Sequence, residues 1–137
     1  MYSITVRHHF DAAHRLQKYD GKCANLHGHR WEVEVSLWGG NLHNGMVVDF
    51  GLVKAAISTF DHTTILEEND PLYGVLRKYV DKKSVVPFPK APTAENIAEH
   101  LCKTINNTLA MHELEAHVLY VTVWETPNNE AQYVESE

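Results

Sequence analysis

Two stretches near the N-terminus alternate apolar and polar side chains with a period of two, and that pattern leaves little choice of fold. In residues 2–14, Tyr2, Ile4, Val6, Phe10 and Ala12 share one face, and Ser3, Thr5, Arg7 and Asp11 share the other. In residues 29–38, Trp31, Val33, Val35 and Leu37 oppose Arg30, Glu32, Glu34 and Ser36. A period of two is that of a half-buried strand. The two strands, joined by a polar loop over 15–28, are expected to pair antiparallel. Phe50, Val53, Ile57 and Phe60 then have helical spacing behind a capping Asp49. Asn69-Asp70-Pro71 suggests the cap and start of a short helix through Tyr79. Val85 to Pro92 holds three prolines and reads as an extended loop. Thr93 reads as the N-cap of a second long helix whose stripe is Ala94, Ala98, Leu101, Ile105 and Leu109, with Cys102 in the core. Residues 117–125 and 130–136 can form two more strands. The expected fold is therefore α+β, a four-stranded antiparallel sheet with two helices on one face. Its open edges are ones that oligomerisation could cover.

The strand pattern also gathers chemistry. His14 ends the apolar face of the first strand, and His29 begins that of the second. His27 and His29 flank Gly28, so on an extended segment their imidazoles project to the same side, and the glycine tolerates a bend. Three neutral imidazoles with an open fourth position make a catalytic kind of zinc site. His8 shares the apolar face and is expected to be a core histidine satisfied by a backbone carbonyl rather than a fourth metal ligand. Asp61-His62, at the end of the first helix, reads either as a hydrogen-bonded acid–base unit or as a surface turn. Glu125 ends the apolar face of its strand, where a carboxylate needs a partner. That partner is either a lysine or arginine, or the paired N–H groups of a ligand.

Composition narrows the function. A net charge of -6, with no basic run, argues against general nucleic-acid binding and leaves room for a locally basic site for an anionic small molecule. Two cysteines, Cys23 and Cys102, are too few for a disulfide framework, which fits a reducing cytoplasm with Cys23 free as a thiol. No signal-peptide pattern and no apolar stretch of membrane-spanning length is present. At 137 residues, one domain over 1–137 is expected.

Phe10-Asp-Ala-Ala-His14-Arg, Cys23-x-x-x-His27-Gly-His29, Met46-Val-Val-Asp49-Phe50, Asp61-His62, Pro92-Thr93-Ala-Glu95-Asn96 and Trp124-Glu125-Thr126 occur in this order. The combination resembles the 6-pyruvoyl-tetrahydropterin synthase family from about residue 3 to residue 134, and most closely its bacterial 6-carboxy-tetrahydropterin synthase branch. The stretch from Leu66 to Pro92 is longer than in compact bacterial members. The resemblance implies the tunnelling fold, in which trimers close their sheets into a β-barrel and two trimers stack as a homohexamer. It implies zinc as cofactor, held by His14, His27 and His29, and Cys23 as the catalytic thiolate. Asp61 and His62 would complete the acid–base set across a subunit boundary. Glu125 would anchor the pterin ring of 7,8-dihydroneopterin triphosphate, with Thr93 also at the substrate. The implied product is 6-carboxy-5,6,7,8-tetrahydropterin, a precursor of 7-deazapurines such as queuosine. Three alternatives share some of these residues: a 6-pyruvoyl-forming enzyme, a zinc hydrolase without need of Cys23, and a non-catalytic zinc module with Cys23 as fourth ligand.

Overall fold

The first two strands pair along their whole length, from Tyr2 opposite Gly39 to His14 opposite His27. The computed structural model describes residues 1–135. In chain order its elements are β1 (Tyr2–His14), β2 (His27–Gly39), α1 (Phe50–Ser58), β3 (Thr63–Glu67), α2 (Pro71–Leu76), β4 (Val85–Phe88), α3 (Ala94–Met111), β5 (Ala116–Thr126) and β6 (Asn129–Val134). The sheet runs β4-β3-β1-β2-β5-β6. The pairs β1–β2, β2–β5 and β5–β6 are antiparallel, whereas β3 lies parallel to β1 and β4 parallel to β3.

The expected four antiparallel strands are thus corrected to six, two of the pairings parallel; the two expected long helices are joined by α2, the short helix expected behind Asp70, which ends at Leu76 rather than Tyr79. The four expected strands are all present, and β2 starts two residues earlier than the alternation suggested. The last strand ends at Val134, and the final residue of its expected range, 136, lies outside the described residues. The two missed strands have a common cause. Ile65 and Leu66 are adjacent and both fully buried, so β3 is covered on both faces and shows no alternation. Val85–Phe88 has only four residues and contains Pro87, which a strand tolerates at an edge, where β4 lies. Parallel neighbours require a crossover. The segment with α2 makes it and packs on β3 and β4.

One core holds the described chain together. Val6 and Phe10 of β1, Trp31, Val33, Val35 and Leu37 of β2, and Val121 and Val123 of β5 form its sheet side. Val53 and Ile57 of α1 and the Ile97, Leu101, Ile105 and Leu109 stripe of α3 close it. Each fully buried apolar side chain contributes about 1.5–3 kcal/mol. The helix starts follow the expected caps: Asp49 accepts from Gly51 N, and Thr93 from Asn96 N at 3.2 Å. His8 is half-buried, and its partner is the Ser58 hydroxyl at 3.0 Å rather than the expected backbone carbonyl. Among the described residues no helix is long and apolar enough to cross a membrane.

A charged pair pins the crossover segment to the end of β1. Asp70, only 3% exposed, caps α2 through Leu72 N and accepts both Nε (2.7 Å) and a terminal nitrogen of Arg15. The Arg15 guanidinium holds the Asp70 carboxyl below its ordinary pKa. A folded pKa below the unfolded one stabilises above the unfolded value, near 4, and that stability is lost as pH falls through the depressed folded value. Asp70→Ala removes the pair and the cap together and should cost about 3 kcal/mol in urea denaturation at neutral pH, the lower end of the range for breaking a buried pair. The variant should also lose less stability than the wild type on acidification below about pH 4. A loss under about 0.5 kcal/mol, that of an ordinary surface change, would contradict this role.

Candidate metal centre

The strand register brings three histidines together at one end of the sheet. His14 is the last residue of β1, on the core face, and lies directly opposite His27. His29, two residues along β2, is opposite Ala12 and projects to the same face as His27. Ring centroids are 4.6 Å apart for His14–His27, 4.8 Å for His27–His29 and 5.4 Å for His14–His29. Gly28 sits in regular strand, and a Cβ there would meet nothing closer than Ala12 O at 3.8 Å, so the expected bend is not needed. Glu125 of β5 completes the group, and the four ligand atoms lie within 4.8 Å of one another.

The hydrogen bonds behind the rings decide which nitrogens face this point. A carbonyl only accepts, so His14 Nδ1 donates to Pro92 O at 2.7 Å and His27 Nδ1 donates to Asn25 O at 2.6 Å. Neutral His14 and His27 then present Nε2 lone pairs forward. His14 Nε2 and His29 Nε2 are both buried without a hydrogen-bond partner, although each lies 3.1 Å from Glu125 Oε1. The contact lacks hydrogen-bond geometry. Burial lowers the pKa of His14 and His29, which favours their neutral form. Acceptor nitrogens packed around an acceptor oxygen repel one another unless a cation sits among them. The donor set therefore fits a metal ion, and three imidazoles suit zinc, with the Glu125 carboxylate beside them. Trp31 forms the floor, edge-on to His14 at 4.8 Å, with its indole N–H on Ala12 O.

Cys23, Asp61, His62 and Thr93 lie outside this four-residue group. Cys23 is a free, half-buried thiol in a 3-10 turn over Lys22–Ala24, and it is not part of the four-residue cluster. Leu16 N donates to Cys23 O at 2.8 Å, which closes the loop between β1 and β2. Asp61 and His62 are hydrogen-bonded, Nδ1 to Oδ2 at 2.9 Å, within an exposed turn, so the pair has features of both sequence readings. The backbone of Asp11 clamps the pair: Asp11 N donates to Asp61 Oδ1 at 2.9 Å, and His62 N donates to Asp11 O at 2.7 Å. The Asp11 N–H and His62 lower the Asp61 pKa. His62 takes a left-handed φ of 59°, and its side chain is 82% exposed. Glu125 has no lysine or arginine partner among the described residues. It also lines a cavity of about 350 Å³ with Glu95, Asn129, Glu130 and Gln132. Thr93 uses its oxygen to cap α3.

Sequence reasoning missed Glu125 as a neighbour of the histidines and missed the carbonyls of Pro92 and Asn25. Glu125 was legible in one respect, as a carboxylate ending an apolar strand face. The two carbonyls carry no side-chain signal.

The family model described as 6-pyruvoyl tetrahydropterin synthase matches residues 3–136. A probable 6-carboxy-5,6,7,8-tetrahydropterin synthase of Halobacterium salinarum is 40% identical over 116 residues, which is 85% of this chain and 75% of that one. The 6-carboxy-5,6,7,8-tetrahydropterin synthase of Rickettsia bellii is 37% identical over 137 residues, covering 93% and 96%. Among solved structures, an uncharacterized protein from Wolinella succinogenes superposes with a TM-score of 0.77 at 22% identity, over 98% of both chains. A 6-pyruvoyl tetrahydropterin synthase from Plasmodium vivax does so at 0.67 and 21%, over 99% of this chain and 98% of that one. At such identities the two structures speak for the fold alone.

The ligand assignment has a direct test. Loss of a group that merely orients a metal ligand costs roughly 10–100-fold in affinity. His27→Ala removes a ligand outright and should weaken zinc binding by more than about 100-fold in chelator competition. Wild-type affinity in that variant would remove His27 from the site.

Proposed function

This chain belongs to the 6-pyruvoyl tetrahydropterin synthase family, and we propose that it is a zinc-dependent carbon–carbon lyase acting on 7,8-dihydroneopterin triphosphate. One water is consumed, and the products are 6-carboxy-5,6,7,8-tetrahydropterin, acetaldehyde and triphosphate, on the way to 7-deazapurines such as queuosine. The observation that carries this reading is the convergence of three histidines, two of them with buried Nε2 atoms that lack a hydrogen-bond partner, together with a free cysteine that takes no part in the cluster. The sequence relatives named for the 6-carboxy product support the choice of product.

Each residue then has a task. His14, His27 and His29 hold the metal. When bound, zinc supplies Lewis acidity toward the hydroxyl-bearing side chain of the substrate. Cys23, next to these ligands in the chain, acts as the base that removes a side-chain proton. His62 has its Nδ1 committed to Asp61, so Nε2 is the atom that returns a proton. Its exposure and rigid clamp suit delivery to a neighbouring subunit's site. Glu125 accepts from the paired N–H groups of the pterin's pyrimidine edge, which the adjoining cavity admits. The Thr93 oxygen accepts the capping bond, so its O–H remains free to donate to substrate.

The assembly in this reading is a homohexamer of two stacked trimers, each a closed barrel, formed by copies of one domain spanning 1–137. The open edges β4 and β6 leave unpaired backbone groups that such closure would satisfy. The enzyme is cytoplasmic, and its partner is the small pterin triphosphate rather than nucleic acid or membrane.

Incubation with 7,8-dihydroneopterin triphosphate should yield 6-carboxytetrahydropterin and acetaldehyde by mass spectrometry. A 6-pyruvoyl product would replace the proposed reaction with its family alternative. Cys23→Ala should keep its zinc and lose turnover by about 10²–10⁴-fold, the usual cost of removing a general base. Mixing Cys23→Ala with His62→Ala subunits should restore part of the activity. Loss of zinc from Cys23→Ala would instead favour a closed structural site.

A further inference from the structure

The crossover between β3 and β4 carries a charge pattern that the metal centre does not explain. Arg77, Lys78, Lys82 and Lys83 fall within seven residues that contain one acid, Asp81. A third of the chain's 12 basic residues therefore sit in this segment, in a protein of net charge -6. Tyr79, Val80 and Asp81 split the two pairs, so they do not read as a basic run. Folding leaves them unneutralised: among the described residues none of the four is in an ion pair, whereas Lys90 and Lys103 share Glu99 and Arg15 holds Asp70. The one local acid is occupied, since Asp81 Oδ1 accepts Lys83 N at 3.0 Å to start the 3-10 turn over Lys82–Ser84.

The segment is also held in place. Arg77 lies over the Tyr73 ring at 5.2 Å, and its Nε is buried with no hydrogen-bond partner. Lys78, Lys82 and Lys83 are exposed. The start of the crossover, and the loop that follows β4, are tied to residues at the metal end of β1. Asp70 and Asn69 bond Arg15 and Gln17, and Pro92 O accepts from His14 Nδ1. A cationic surface with free donors, on an otherwise acidic protein, concentrates and orients polyanions.

We propose that Arg77, Lys78, Lys82 and Lys83 form a polyphosphate-binding element that takes the triphosphate of the substrate. The identity of that phosphate donor rests on the pterin triphosphate reading above; the polyphosphate chemistry does not. Its charge complements the segment, and Arg77 offers a planar fork of donors suited to phosphate oxygens.

The test uses inorganic triphosphate as the probe, titrated calorimetrically into the full-length, zinc-loaded protein at low ionic strength. The wild type should bind it, and affinity should fall as salt rises. Lys78→Ala/Lys82→Ala/Lys83→Ala should bind at least about tenfold more weakly, the equivalent of losing one charged hydrogen bond. The same variant should show a raised KM for dihydroneopterin triphosphate and a shallower salt dependence of kcat/KM. Lys54→Ala, an exposed lysine on α1, should match the wild type. Equal binding by the triple variant, or no binding by the wild type, overturns the proposal. Binding to phosphatidylserine vesicles without binding to triphosphate overturns it too. Triphosphate binding that depends on these lysines, in a protein that does not turn over the pterin, upholds the element and sinks the pterin reading.

Discussion

The register of β1 against β2 sets everything at the metal centre. His14 faces His27, and His29 shares their side, only because Phe10 pairs with Trp31 and Val6 with Val35. A slip of one residue would turn every side chain of a strand to the opposite face. It would bury Arg30, Glu32 and Glu34 and expose Trp31, Val33 and Val35. At about 1.5–3 kcal/mol for each apolar side chain, such a slip is prohibitive. Phe10 and Trp31 add a stacked pair with centroids 5.7 Å apart, and the Trp31 N–H bonds across to Ala12 O. The same apolar faces that build the core thus aim the three imidazoles.

That aim has an energetic cost. His14 is 1% exposed, and its Nε2 has no hydrogen-bond partner. Leaving a buried polar atom unsatisfied costs about 1–3 kcal/mol. The His29 nitrogen adds a second such atom, and the Glu125 oxygen lies close to both. A bound cation would offset all three at once. The carbonyls of Pro92 and Asn25 fix the tautomers of His14 and His27, so that both rings turn Nε2 toward this point. The crossover holds the end of β1 through Asp70 on Arg15, and the loop after β4 holds the site through Pro92 on His14.

Much of this was legible in the residues, for identifiable reasons. Alternation gave β1, β2 and β5, and the 3.6-residue stripe with Asp49 and Thr93 caps gave α1 and α3. The His14–His27–His29 convergence followed from placing strand ends beside one another. β3 stayed hidden because Ile65 and Leu66 are buried on both faces, and β4 because Pro87 and four-residue length suppress a strand signal. Glu125 showed only that it needed a partner; that the partners are histidines depends on β5 lying next to β2, a non-local pairing. The clamp of Asp11 on Asp61 and His62 is made by backbone atoms, which no residue identity announces. The cations at 77–83 are a sequence fact, but their lack of carboxylate partners is not.

Zinc-edge X-ray absorption on the metal-loaded protein examines the central claim most directly, because it counts the atoms around the ion. Three imidazole nitrogens at about 2.0–2.1 Å, with the remaining position filled by oxygen, are the expected result. A sulfur scatterer at about 2.3 Å would place Cys23 on the metal and contradict an open three-histidine site with a free thiol beside it.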